Sequence, residues 1–289
     1  MGRHPQLYWP HWLTALLLAA VLAWPQAARA QQAPPVLADL PSLAVPGARV
    51  VDLATRTGVR QRLLLLRPPQ VEASLILLVG GDGLLNLDQN FALGTRRGNF
   101  LKRIAARLAR QGFQIALLDM ARDESSFFGG PPLRTSAAHA QDLGGVSDFL
   151  RQEAPAPVWL VGTSLGTISA ANAAGRLGPE RVQGVVLSST NLGGRHQAGV
   201  FALDLEAIRQ PVLVVHHEQD DCFVCPYHQV PSLLQALTNA PVKEVLAYRG
   251  GLPAISEACE ALSAHGFYGL EDQVAQDMGQ WIKDHAPRP

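Results

Sequence analysis

From residue 49 onward, short apolar runs alternate with longer segments that are apolar on one side only. Ser74–Val79, Phe113–Leu118, Val158–Val161, Gly184–Ser188 and Pro211–His216 are too short for helices and too apolar for one wetted face, so each predicts a strand buried on both sides. Between them, Phe100–Gln111 sets Leu101, Ile104, Ala105 and Leu108 on one face at helical spacing. Ser136–Glu153, Thr167–Arg176, Val230–Ala240 and Glu271–Asp284 predict further helices, and Lys243–Tyr248 a further strand. Arg49–Leu53 and Val59–Leu66, joined by the turn-forming Thr55–Gly58, predict a strand pair at the start.

Strands separated by helices at this spacing require right-handed crossovers. The expected architecture is therefore α/β: a mostly parallel central sheet with helices on both faces, forming one domain over residues 48–289. Thr190–Gln210, where a large lid would be inserted, spans only about twenty residues and leaves little room for one.

Residues 1–30 are a different material. A weakly basic start at Arg3 and His4, the apolar stretch Trp12–Trp24 and the small-residue site Ala28-Arg29-Ala30 predict a secretory signal peptide cleaved after Ala30. The apolar run is shorter than the roughly 20 residues needed to span a bilayer, so no stable membrane anchor is expected. Residues 31–47, rich in Pro and Ala, read as an extended lead-in. The mature chain is expected in the periplasm or outside the cell. With 24 basic and 24 acidic residues among 289, it has no net basic field to recruit nucleic acid.

The most informative stretch is Gly162-Thr163-Ser164-Leu165-Gly166, which follows a buried strand and opens an Ala-rich helix. Glycine on both sides of a serine in a sharp strand-to-helix turn is what presents a nucleophilic hydroxyl, and Ser164 is the candidate. Its partners are expected at strand ends along the carboxyl edge of the sheet. The strand ending at His216 runs into His217-Glu218-Gln219-Asp220-Asp221, and His265 lies in Ser263–Phe267, after the last strand and before the last helix. Of the other histidines, His4 and His11 lie in the leader, His139 in an early helix, His196 before the acid and His285 at the tail.

Serine, then acid, then histidine is the chain order of the α/β-hydrolases. The chain resembles that family over roughly Leu63–Ile282, and more narrowly its exported lidless bacterial members with G-T-S-x-G, H-H-x-x-D-x-C and H-G-F-x-G motifs. The resemblance puts Asp220 in register as the acid, with Asp221 and Glu218 as rivals. It implies that His265 takes the proton of Ser164 and that Asp220 orients the imidazole. The oxyanion would be held by the backbone N–H of Leu165 and, by likeness to the H-G-x loop, that of Asp82 in Gly80-Gly81-Asp82-Gly83, with Gly81 next to it. Gly80 stands where a histidine is common, which removes a side chain that would brace this loop. The Asp82 carboxylate is expected to bond its own loop.

Cys222 follows the acid and Cys259 precedes His265, so a Cys222–Cys259 bridge would tie the two loops together and leave Cys225 free. Cys225–Cys259 is the alternative, while Cys222–Cys225 would close a strained short loop. His216, His217, Cys222, Cys225 and His228 make a compact set of zinc-capable residues, but His216 ends a buried strand and no second Cys-x-x-Cys follows, so no metal is expected. Arg96 and Arg97 read as solvated surface, and Phe127 and Phe128 as candidates for an apolar pocket wall. The implied activity is hydrolysis of small or polymeric carboxylic esters through an acyl-enzyme, with no cofactor. A peptidase or amidase with the same triad, or a silent binding protein of this fold, are the alternatives.

Overall fold

A computed structural model describes Gly2 and residues 47–87, 98–121, 131–194 and 198–287. The chain divides into Met1–Ala33 and Pro34–Pro289, and every described element belongs to the second unit. The expected signal peptide, its cleavage site and nearly all of the lead-in lie outside the described residues, as do Arg96, Arg97, Phe127, Phe128 and His196.

The strands are β1 (Arg49–Arg56), β2 (Val59–Leu66), β3 (Ala73–Leu78), β4 (Phe113–Asp119), β5 (Val158–Thr163), β6 (Gly184–Ser188), β7 (Val212–His217) and β8 (Lys243–Tyr248). The helices are α1 (Phe100–Arg110), α2 (Pro131–Arg134), α3 (Ala137–Glu153), α4 (Gly166–Arg181), α5 (Val230–Ala236) and α6 (Glu271–His285). All eight strands join one sheet in the order β1-β2-β4-β3-β5-β6-β7-β8. β2 runs antiparallel to both neighbours, and every pairing from β4 to β8 is parallel.

The apolar runs are continuous because both sheet faces are covered, and the side chains still alternate. Leu63, Leu65, Ile76, Leu78, Leu160 and Val214 belong to one core with α3 and α4 residues such as Leu143, Val146 and Ile168. Leu64, Leu66, Leu75, Leu77, Val161 and Val215 point the other way, to α1 and α6 through Phe100, Ile104, Met278 and Trp281.

Two helices end elsewhere than their periodicity predicts. α5 stops at Ala236 because Thr238 and Asn239 favour turns and Pro241 disfavours helical backbone in the residue before it. α4 continues past Arg176 to Arg181, interrupted at Gly178, whose φ of 71° precedes Pro179. Between β6 and β7 the described residues hold only two short 3-10 turns, Val200–Ala202 and Leu205–Ala207, and no large lid. The carboxyl ends of β3, β5, β7 and β8 are thereby left as the place where loops meet.

Candidate active site

Ser164 sits at the turn from β5 into α4 with φ 53°, a left-handed conformation rare for a side-chain-bearing residue. The flanking glycines are required by close approach. A Cβ on Gly162 would lie 2.5 Å from the Gly166 carbonyl oxygen, and one on Gly166 would lie 1.9 Å from that of Leu78. The turn is tied to the next strand by Ser164 N–H donating to Ser188 O at 3.1 Å, and to α4 by Thr167 Oγ1 donating to Ser164 O at 2.6 Å. Leu165 occupies the cap position of α4, where the helix leaves its backbone donors unpaired within the helix.

Asp220 leaves the end of β7 in a turn closed by its N–H to His217 O at 3.1 Å. Its carboxylate is buried and divided between two loops: Oδ1 accepts the Cys222 N–H at 3.0 Å, and Oδ2 accepts from His265 Nδ1 at 2.9 Å. Neither rival makes this contact: Asp221 is exposed, and Glu218 pairs with Arg249. His265 lies on a short 3-10 turn whose first N–H groups are capped by Ser263, and its own carbonyl accepts from Ser189 Oγ at 2.6 Å.

Ser164, Leu165 and His265 line one cavity of about 620 Å³, together with Gly80, Gly81, Asn191 and the disulfide-bonded Cys222 and Cys259. Phe223, 79% exposed, stands in its wall. Cys222 and Cys259 are bonded, with Cα atoms 4.5 Å apart, and Cys225 is a free, buried thiol. Burial, and then the negative charge of Asp220, push the Cys225 thiol well above its usual range.

The loop after β3 is folded into a turn by Gly83 N–H donating to Gly80 O at 3.2 Å. Asp82 spends its carboxylate on that loop, accepting the Leu84 N–H at 3.0 Å. Asp82 is not among the residues lining the cavity, whereas Gly80 and Gly81 are. Position 80 has no room for a bracing side chain, because a Cβ there would meet the Ser164 Cβ at 2.8 Å.

The brace is Arg134, at the end of α2. Its Nη2 donates to Val79 O at 3.2 Å and Gly81 O at 2.9 Å, and its Nη1 donates to Ser169 Oγ at 2.9 Å. Because the peptide is trans, fixing the Gly81 carbonyl toward Arg134 turns the Asp82 N–H to the opposite side. His139 packs behind, with Nε2 2.9 Å from Ser169 Oγ. Burial, then Arg134 and Arg56, lower its pKa to about 3 and keep it neutral. Arg134 and His139 thus meet at Ser169, and nothing in the sequence says what either holds.

A second buried arginine was not signalled at all. Arg103 of α1 reaches under the histidine loop, donating to the carbonyls of Gly98 and Ala261, each at 2.9 Å, and to that of Gly266. It also pairs with Glu271. Burial lowers its pKa to about 10, which leaves it charged at neutral pH. Its position in an otherwise amphipathic helix looks like an ordinary flanking charge.

Of the zinc-capable residues near the end of β7, His216 and His217 are engaged with backbone carbonyls. His216 Nε2 donates to Cys225 O at 2.9 Å and His217 Nε2 donates to Gly250 O at 3.0 Å. Burial lowers the His216 pKa, consistent with a neutral ring. The metal-capable side chains that do converge among the described residues are Cys222, Cys225 and His265.

No family model matches the chain, and no curated protein matches it. Solved structures do. A cold-adapted esterase from an Arctic intertidal metagenomic library superposes with a TM-score of 0.55 at 15% identity, covering 83% of this chain and 93% of that one. An α/β serine hydrolase without a lid from Xanthomonas campestris gives 0.57 at 16% identity, over 84% and 97%. A dienelactone hydrolase from Anabaena variabilis gives 0.55 at 21% identity, over 84% and 100%. The likeness is one of fold, and the fold is that of the α/β-hydrolases.

Proposed function

We propose that this chain of α/β-hydrolase fold is an exported serine hydrolase that cleaves carboxylic esters through an acyl-enzyme. The observation that carries the reading is the buried 2.9 Å contact of His265 Nδ1 with Asp220, which lies behind the cavity that His265 lines together with Ser164 on its left-handed turn. Asp220 holds the imidazole in the tautomer that carries hydrogen on Nδ1, which leaves Nε2 basic and available to the serine. Ser164 attacks the ester carbonyl as His265 takes its proton. The same proton then passes to the departing alcohol. Water repeats the sequence on the acyl-enzyme.

The negative charge that develops on the carbonyl oxygen is received by the Leu165 N–H at the start of α4, where the helix dipole adds to it. The second donor comes from the Gly80–Gly83 turn that Arg134 braces, through the N–H of Asp82 or of the cavity-lining Gly81. Phe223 offers an apolar surface to the acyl or alcohol part. Export is supported by the leader pattern and by the disulfide, which an oxidising compartment sustains.

A fluorophosphonate probe tests the reading. The folded protein is expected to label at Ser164 and Ser164→Ala to stay unlabelled, and a panel of p-nitrophenyl acyl esters against aminoacyl anilides separates ester from amide preference. Absence of labelling in folded protein would remove the proposal in favour of a silent binding role.

A further inference from the structure

The side chains of Cys222, Cys225 and His265 are all buried, and their Sγ atoms and a His265 ring nitrogen lie within 4.8 Å of one another. Cys259 adds a third sulfur at the same point, because it is bonded to Cys222. We propose that, when the Cys222–Cys259 bond is reduced, these four residues form a Cys₃His site that captures Zn²⁺ and takes His265 away from Ser164.

The donor set is a common one for tetrahedral zinc. With Zn–S near 2.3 Å and Zn–N near 2.0 Å, tetrahedral donors stand about 3.5–3.8 Å apart, so closing on the ion asks the three side chains to approach by no more than about 1 Å. Two features already suit a metal. Cys225 N–H donates to Cys222 O at 2.8 Å, a tight Cys-x-x-Cys turn that keeps both sulfurs on one side. His265 Nδ1 is bonded to Asp220 at 2.9 Å, which leaves Nε2 as the ligating nitrogen and reproduces the carboxylate–histidine–zinc arrangement of metal sites. The dyad that makes the imidazole a base also makes it a better ligand.

The chemistry balances with a dithiol as reductant. The Cys222–Cys259 bond accepts two electrons and two protons and becomes two thiols, while the dithiol becomes a disulfide. Cys222, Cys225 and Cys259 then release one proton each as their thiolates bind Zn²⁺, and the His265 Nε2 lone pair completes the tetrahedron. In the oxidised protein Cys222 and Cys259 have no thiolate to offer, and the site does not form.

The test uses the mature full-length protein with tris(2-carboxyethyl)phosphine, which becomes the phosphine oxide, in place of a zinc-binding dithiol. After exposure to Zn²⁺ and dialysis, elemental analysis is expected to find one zinc per reduced chain and none per oxidised chain. Co²⁺ is expected to give the intense absorption of a tetrahedral thiolate complex. Cys225→Ser and His265→Ala should each weaken binding at least about tenfold with far-UV circular dichroism retained, and Asp220→Asn about 10- to 100-fold. Loss of the circular dichroism signal on reduction, no retained zinc, or wild-type zinc affinity in His265→Ala would each overturn the site. Inhibition by zinc that chelator reverses is expected as well. That part rests on the proposed esterase reading, and because metal content is measured directly, stoichiometric His265-dependent binding upholds the site even if no ester is cleaved.

Discussion

Gly80 and Ser164 are packed so closely that a single methyl group does not fit between them: a Cβ on Gly80 would lie 2.8 Å from the serine Cβ and 3.4 Å from its Oγ. The same Cβ would lie 3.1 Å from Thr163 O, so the turn cannot yield on that side without moving β5. Gly80→Ala is therefore expected to push the loop carrying the second oxyanion donor away from the serine. Loss of one such donor costs about 10²- to 10³-fold in kcat, and a kcat drop of that order with unchanged circular dichroism is expected. Normal turnover by a folded Gly80→Ala protein would show that the loop is not part of the site.

Arg134 holds the other side of that loop through the carbonyls of Val79 and Gly81. A lysine keeps the charge but cannot present the planar fork that reaches both carbonyls and Ser169 together. Arg134→Lys is expected to lower kcat by about 10- to 100-fold while KM changes by less than about threefold, because the loop serves the transition state more than the ground state. A rise in KM at unchanged kcat would instead place Arg134 in substrate binding.

These two residues mark where sequence reading succeeds and where it stops. The elbow was legible because its glycines, its buried strand and its small-residue helix all follow from local sterics, and the strand runs such as Leu63–Leu66 announce a sheet covered on both faces. His265 was legible through its place after the last strand, and Asp220 through the resemblance of its loop, since strand ends alone left Asp221 and Glu218 open; the two side chains do meet. Arg134 and Arg103 were not legible, because each acts on backbone carbonyls of distant segments, and a carbonyl leaves no trace in a sequence. The free Cys225 was visible as a residue, but its place beside Cys222 and His265 depends on how the Cys-x-x-Cys turn folds.

His139 gives the stability a dependence on pH. Its pKa is about 3 in the fold against 6.5 for the free side chain, so between these values the unfolded chain binds the proton and the native chain does not. Stability from this group is complete above pH 6.5 and is lost as pH falls toward 3. At pH 5 the loss is about 2 kcal/mol, and His216, whose pKa is also lowered by burial, acts in the same direction. Urea denaturation at pH 7 and pH 5 should show this drop in wild type and a smaller one in His139→Gln. An equal drop in both would remove His139 as its source.

The disulfide is expected to serve both stability and turnover. It joins the loop that carries Asp220 to the mostly exposed segment that leads to His265, across 37 residues. Opening a loop of that length costs about 3–4 kcal/mol in the chain-entropy model, which for a domain of this size corresponds to a fall in Tm of about 5–10 °C. Arg103 and Ser189 still hold the carbonyls of Gly266 and His265, so the histidine turn is not released outright. Cys259→Ser, kept in chelator so that metal capture plays no part, should therefore stay folded at 25 °C with kcat reduced several-fold and KM little changed. Thermal melts and steady-state kinetics on the same preparation check both halves. An unaltered Tm together with an unaltered kcat would mean that the bridge clamps neither loop.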